Sequence, residues 1–586
     1  MSDVLVKPSF AAACALVLLA GHAYAQTDAG SLLNQQQRQQ QKLPERLPEA
    51  ERAAVPQTLT PTQGARIVLV SVRFTGATDL ASDAELQAVV AKYVGQQLDF
   101  QGLEEMARTV TQFLRSKGWL LAEAWLPKQD VTEGRIELNI RAGKLDGSVK
   151  GNGGTPYAIH PGAQEPFRIR PDVLDAYARD RLVAGAPVRE SQLERTMLLM
   201  NDLPGISARS RLEPGKDADS SHVDIAVDEG ALFSGSVWAD NQGNRDTGFE
   251  QANTALQWSD PLRIGDLASV AATHTVGLDL VRLGYGAPMG ADGLKWGVSW
   301  TEMNYRIIRG TGLAAGLTGK SDSSALTFTY PFIRSRASSL VGSASFTRKA
   351  LTDDSIAGQL RDKRIDDWSA GLSSETFDGL GGGGHTSWNV SVTQGHVDLS
   401  HNAADQNSDA ATYGSQGTFT KLSYGLSRQQ QLPQNFSLYV NVSGQRASKN
   451  LDSSEKFILG GPGGVRAYPG SEGSGDSGLM GNLELRYEPS GATPLGIVQY
   501  FGFFDTGAIT LHHDVNGITI PTASGQNEYT LSGGGLGVSL SKPGRYNVRF
   551  VWARKMGSNP GRSVEGLDAD SLNSPSRVWL QANVWF

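Results

Sequence analysis

From about residue 233 to its last residue the chain alternates apolar and polar positions in segments of about ten residues, separated by Gly, Asp, Asn, Ser and Pro turns. Alternation with a period of two puts successive side chains on opposite faces, so each segment predicts a β-strand. The segments run 233–240, 250–259, 265–274, 279–287, 294–305, 322–331, 338–349, 364–376, 385–397, 413–426, 434–447, 477–488, 496–507, 530–540, 544–555 and 576–586. Sixteen strands of this length, even in number and continuing to the terminus, predict a transmembrane β-barrel. The last segment is the clearest: Val578, Leu580, Ala582, Val584 and Phe586 point one way, and Trp579, Gln581, Asn583 and Trp585 the other. A soluble β-sandwich is the alternative, but it would be unusually large, and its alternation should not reach the final residue.

Ahead of the barrel the period changes. Val68, Val70, Val72 and Phe74 alternate as a half-buried strand, Ser82 and Glu85 form a capping box, and Leu86, Val89, Val90 and Tyr93 follow at helical spacing. A second helix carries Leu103, Met106, Ala107, Val110, Phe113 and Leu114, and strands are expected near 119–127 and 134–142. The same β-α-α-β-β order then returns: a strand near 144–151, helices over Val173–Leu182 and Glu190–Asn201, and strands near 206–213 and 221–229. This is a tandem repeat of one α/β module. Such modules expose a sheet edge that can capture an extended peptide, although a pair of structural spacers would read the same way.

The N-terminal apolar run, Phe10 to Ala20, follows Lys7 and precedes Ala23-Tyr24-Ala25, the pattern of a secretory signal cleaved before Gln26. The single cysteine, Cys14, lies inside it, so the mature chain has no thiol for catalysis, disulfides or metal binding. The net charge of −7 gives no sign of a nucleic-acid partner. Residues 26–65 are rich in Gln, Pro and Glu. A helix over 30–42 would be polar almost all round and unsuited to an apolar core. This segment is either a disordered tail or a helix lodged in a wet lumen behind a proline-rich tether.

Candidate chemistry is sparse. Gly316-Leu317-Thr318-Gly319-Lys320-Ser321 looks like the end of a phosphate-binding loop, but Ala314 stands where glycine is required and a strand, not a helix, follows. His512-His513-Asp514 stands alone and is expected to be exposed loop. No catalytic residue, metal site or cofactor is therefore expected. A sixteen-stranded wall, by contrast, encloses a lumen too wide for its own side chains to fill, and something must occlude it. Two segments qualify: the polar N-terminal helix, and the glycine-dense loop Gly460–Gly470 carrying Val465-Arg466-Ala467-Tyr468. Phe503-Phe504-Asp505-Thr506-Gly507 offers the loop an anchor, because an Arg–carboxylate pair supplies direction as well as energy.

Taken together, the chain resembles the two-partner secretion transporters, the haemolysin- and haemagglutinin-exporting branch of the BamA-like superfamily. Four stretches carry the resemblance: Leu193–Gly205; Asp240-Asn241-Gln242-Gly243 with Thr247-Gly248; Val465-Arg466-Ala467-Tyr468; and Phe503 to Gly507. The resemblance implies a signal peptide (1–25), a plug helix and linker (26–65), two periplasmic POTRA domains (66–143 and 144–230) and a barrel in the outer membrane of a Gram-negative bacterium (231–586). It implies that Val465, Arg466, Ala467 and Tyr468 form a lumenal loop tip and that Phe503, Asp505 and Gly507 form its wall partner. Trp585 and Phe586 would be the signal read by the barrel-assembly machinery. The implied cargo is a large exoprotein with an N-terminal secretion domain, and the implied surroundings are outer-membrane lipid and lipopolysaccharide. A BamA-type insertase and a general solute porin are the alternatives. One position departs from the family: Ala467 replaces a glycine, and if that position needs φ > 0 the alanine is strained by about 1 kcal/mol.

Overall fold

The computed structural model describes residues 27–39, 66–146, 154–162, 166–216, 220–310, 312–491, 493–520 and 522–586. The expected signal peptide and proline-rich linker lie outside the described residues.

A helix, α1 (Ala29–Gln39), precedes the two modules. In the first module the strands are β1 (Ser71–Gly76), β2 (Glu123–Trp125) and β3 (Arg135–Arg141), with β3 central, parallel to β1 and antiparallel to β2. Its helices are α2 (Asp83–Val90) and α3 (Phe100–Ser116). Ser82 closes a capping box with Glu85, and Asp99 accepts from the Gly102 N–H at 2.9 Å. Both satisfy N–H groups that the first turn leaves without a helical partner. Leu103, Met106, Val110 and Leu114 then bury one face of α3 on Ile136, Leu138 and Ile140.

The second module repeats the topology with β4 (Tyr157–Pro161), α4 (Pro171–Arg179), α5 (Glu190–Asn201), β5 (Ile206–Pro214) and β6 (Ser220–Glu229). Of its expected first strand, 144–151, Lys144–Leu145 pairs parallel to Ser220–Ser221, and residues 147–153 lie outside the described residues. Parallel pairing to the same strand is also made from Tyr157, opposite Val223.

The barrel strands are β7 (Phe233–Asp240), β8 (Gln251–Ser259), β9 (Leu267–Thr275), β10 (Leu278–Pro288), β11 (Lys295–Arg306), β12 (Thr318–Arg334), β13 (Ser338–Ser355), β14 (Gly358–Asp378), β15 (Gly384–Asp398), β16 (Gly417–Gln431), β17 (Phe436–Ala447), β18 (Ser477–Tyr487), β19 (Ile497–Thr510), β20 (Glu528–Lys542), β21 (Tyr546–Met556) and β22 (Ser576–Trp585). All sixteen expected segments form strands, each antiparallel to its neighbours, and β7 pairs with β22 to close the wall. The closing seam continues past the strand ends. Gly235 and Phe586 exchange N–H···O bonds of 2.9 and 3.0 Å at one end, and Asn241 bonds to Leu580 and Val578 at the other. β12, β13 and β14 run to 17, 18 and 21 residues. About 9–11 suffice to cross a bilayer, so this side of the wall rises beyond it.

The modules sit at the end where β7 begins. Asp202, just after α5, accepts a fork from Arg334 (2.9 and 2.7 Å), and its carbonyl accepts from Lys295 at 2.6 Å. Arg195 donates to the Pro331 carbonyl at 2.8 Å. Leu193–Gly205, singled out in the sequence, is thus the joint between the second module and the barrel.

Candidate functional site: an occluded lumen

The chain between β17 and β18, residues 448–476, folds back inside the barrel. Leu459, Val465, Arg466, Ala467 and Tyr468 are all buried there. Arg466 meets Asp505 on β19 through Nε (2.8 Å), Nη2 (2.7 Å) and its own backbone N–H (3.1 Å). Its Nη1 donates to Glu484, and its guanidinium lies 3.6 Å from the Phe503 ring centroid. The Arg466 carbonyl in turn accepts from Trp579 Nε1 at 2.8 Å. Three directed contacts and a ring face leave the tip one orientation. Gly507 has no Cβ because Leu459 occupies the space one would need.

The expected strain at Ala467 does not arise. Its φ is not among the positive values of the described residues, and its methyl group packs on Gly533 of β20, where an added Cβ would come within 2.5 Å. The wall has given up a side chain where the tip has gained one.

Several groups at the tip escaped the sequence reading. Glu484 also holds Arg486 (2.8 Å) and Arg549 (3.4 Å), while Asn482 donates to Asp505 at 2.9 Å. Arg486 lies over Tyr439, and Arg549 over Phe501. The available signal was Asn482, Glu484 and Arg486, polar at every second position of β18 with Leu483 and Leu485 between them. Trp585 and Phe586 stand apart from this site, at the module end of the seam.

A second anchor holds the base of the loop. Asp452 accepts from Lys363 at 2.6 Å, and Glu455 binds Lys421 at 2.7 Å and also Lys349. On the far face of the loop, Glu472 accepts from Asn559 Nδ2 and the Ala569 N–H, both at 2.8 Å, from the chain between β21 and β22. Burial pushes the Glu472 carboxyl up to about 7. His512, beyond the end of β19, is buried against Tyr413 rather than exposed as expected, and burial holds it down to about 4. Among the described residues, no group of three His, Cys, Asp or Glu side chains is placed to hold a metal ion.

α1 also lies inside the barrel. Asp28 caps it by accepting from the Ser31 N–H at 2.7 Å, and its carboxylate also meets Ser453 Oγ (2.9 Å) and Arg361 Nη1 (3.3 Å). Asn34 donates to the Lys456 carbonyl at 2.8 Å, Gln39 to the Gln242 carbonyl at 2.7 Å, and Arg38 lies over Phe457. The Asp240–Gly243 stretch thus receives the helix. The expectation of a helix polar all round needs correction: Ala29, Leu32 and Leu33 are almost fully buried against an apolar patch on the inner wall, at the end remote from the modules.

Residues 219–540 match the family model described as haemolysin secretion/activation protein ShlB/FhaC/HecB, and residues 67–143 match the ShlB-type POTRA domain. A heme/hemopexin transporter protein, HuxB, of Haemophilus influenzae strain 86-028NP is 26% identical over 92% of this chain and 93% of its own. An outer membrane transporter, CdiB, of Dickeya dadantii is 22% identical over 77% of each chain. Among solved structures, CdiB from Escherichia coli superposes with a TM-score of 0.67 at 20% identity, covering 100% of both chains. BamA from Haemophilus ducreyi lacking POTRA domains 1–3 does so with a TM-score of 0.50 at 13% identity, over 89% of this chain and 100% of that one. These superpositions establish the shared fold.

Proposed function

The chain belongs to the haemolysin secretion/activation protein family, and from that premise we propose how its geometry carries out export. It is an outer-membrane transporter of two-partner secretion: a partner exoprotein passes from the periplasm through the barrel. The family is one of secretion channels, and the proposed route makes and breaks no covalent bond.

In our reading the modules face the periplasm and bind an N-terminal secretion domain of the unfolded partner. An extended segment adds to a sheet edge, for which β5 is the longest candidate: nine residues, paired on one side only. α1 leaves the lumen, the loop 448–476 rearranges about Arg466, and the partner threads outward. A chain that folds outside by about 5–15 kcal/mol does not slide back, so folding at the surface drives transit without a nucleotide. Lipopolysaccharide surrounds the outward face, Trp585 and Phe586 are read by the assembly machinery, and residues 1–25 are the signal that brings the chain there.

The observation that carries this reading is a wide lumen occupied by two elements, a helix and an inward-folded loop, outside the strand ladder, in a chain whose barrel matches the family model. The test compares culture medium and cell surface of the native bacterium with and without the gene by mass spectrometry. Loss of one large, signal-bearing polypeptide, with other barrel proteins unchanged, is expected. A general fall in barrel proteins would point to an insertase instead, and no change in either would point to a porin.

A further inference from the structure

Among the described residues the inner wall carries two apolar patches, one covered by the loop tip and one, in the outer half, covered by α1. Leu280, Met303, Leu351, Ile365, Val397 and Phe419, from six different strands, point inward and are nearly fully buried. Val281, Val298 and Leu422, on three of the same strands, are 38–43% exposed on the outer face. A wall facing water gains nothing from these inward residues. They are covered here by Ala29, Leu32 and Leu33 of α1, the element that must leave for a chain to pass. Beside the patch stand Arg361 and Lys363, 3.3 and 4.0 Å from the Asp28 carboxylate.

We propose that this patch and its cation pair form a docking site for the exported chain, which α1 occupies as a stand-in. The inference rests on the export reading. The ligand class follows from the occupant: an acid followed by aliphatic side chains in otherwise neutral, polar surroundings. Asp28 and Leu32 are four residues apart, roughly 6 Å along a helix. An extended chain spans that distance in about two residues, with both side chains on one face. The exported segment therefore has the form acid-x-aliphatic. Lying in the outer half of the channel, the site holds the chain where folding can begin outside.

The test uses the full chain bearing Leu32→Ser and Leu33→Ser, in planar bilayers. The variant should show raised conductance, because the helix loses its apolar hold. The probe is a short Ser/Asn/Gln peptide containing Asp-Ser-Leu-Leu, compared with versions containing Asp-Ser-Ser-Ser and Asn-Ser-Leu-Leu. The first should block current with a residence time at least about tenfold longer than the second, since the aliphatic side chain on the face of the acid leaves water. The third should fall between them, and Met303→Ser with Leu351→Ser should erase the difference between the first and second while leaving that between the first and third. Equal residence times for the peptides would overturn the proposal without any wall variant, and so would an unchanged conductance in the Leu32/Leu33 variant. Peptide discrimination that persists while gene deletion leaves the secreted proteins unchanged would sink the export reading and leave the site standing.

Discussion

Replacing Arg466 by alanine should undock the loop tip without unfolding the barrel. The substitution removes three charge-assisted bonds and the contact with Phe503. Glu484 keeps Arg486 and Arg549, but Asp505, fully buried, is left with Asn482 and a backbone N–H and no cation. Breaking a buried pair from one side costs about 3–5 kcal/mol, largely because the surviving charge stays buried. That is roughly two to three and a half decades in the docked-to-undocked ratio. Asp505→Ala should cost less, since Glu484 still balances Arg466, and the double variant should cost less than the sum of the singles. Arg466→Lys keeps the charge, loses the fork and should fall between. Hydrogen exchange of the amides from 459 to 468 reads this directly, with heat-modifiable gel migration confirming an intact barrel and export measured in cells. Protection within a factor of about three of the parent, with normal export, would refute the reasoning, and so would strictly additive single variants.

Gly533→Ala should also displace the tip, because its Cβ would lie 2.5 Å from that of Ala467, and adding Ala467→Gly should restore both loop protection and export. Deleting residues 26–45 should raise pore conductance, since α1 lies inside the lumen; unchanged conductance in bilayers would leave α1 without a plugging role. Asp202→Ala removes the fork to Arg334 and should loosen the second module by about 1–2 kcal/mol while the barrel still assembles, read as increased exchange in α5. The pH response separates two buried groups outside the strands. Glu472, faced by Asp568, Lys555, Asn559, Tyr468 and Tyr529, rises from 4.5 to about 7 when docked, so its contribution to docking is full below 4.5 and is lost as pH rises to about 7. His512, packed on Tyr413 near Lys456 and Asp476, falls from 6.5 to about 4, so its contribution is present above 6.5 and is lost as pH falls towards 4. The slopes oppose each other between 4.5 and 6.5. Glu472→Gln should therefore open more readily as pH falls through that window and His512→Gln as pH rises through it; bilayer recordings with the same slope in both would discard the assignment.

The strands were legible because lipid on one face and water on the other impose a period of two. The reading fell short where that contrast ends. β12, β13 and β14 outrun the expected segments through Thr318-Gly319-Lys320-Ser321, Thr352-Asp353-Asp354 and Arg361-Asp362-Lys363, where both faces carry polar residues. The Arg466–Asp505 pair could be anticipated from two local motifs. Arg549 and Trp579 could not, because a lumen-facing residue shows no special pattern until a distant loop fills the space before it, and the alternation in β18 turns Glu484 to the lumen without saying what it meets there. The apolar patch beneath α1 was hidden for the same reason: Leu32-Leu33 is a narrow stripe in a run of glutamines, and its partners come from strands some 250 to 390 residues further on. Those separations follow from numbering alone, and no period links them.

The two occluding elements are held in different ways, and the difference orders their movement. α1 rests on three small or branched apolar side chains, a few neutral amide contacts to carbonyls, the Arg38 contact with Phe457 and, at its cap, the pairing of Asp28 with Arg361 and Lys363. It is joined to the modules through the chain that follows Gln39. On leaving, its eleven residues can recover backbone freedom of about 1–2 kcal/mol each, which offsets much of what is lost. The loop tip recovers far less, because it remains tied at both ends to β17 and β18, while releasing it exposes Asp505 and Glu484 to the loss of their shared cation. α1 is therefore the element that yields first, with the tip as the fixed point around which the lumen reopens. It follows that removing the helix and removing Arg466 are not equivalent: the first opens a channel whose guide is intact, whereas the second leaves a helix in place over a guide that has lost its wall contact.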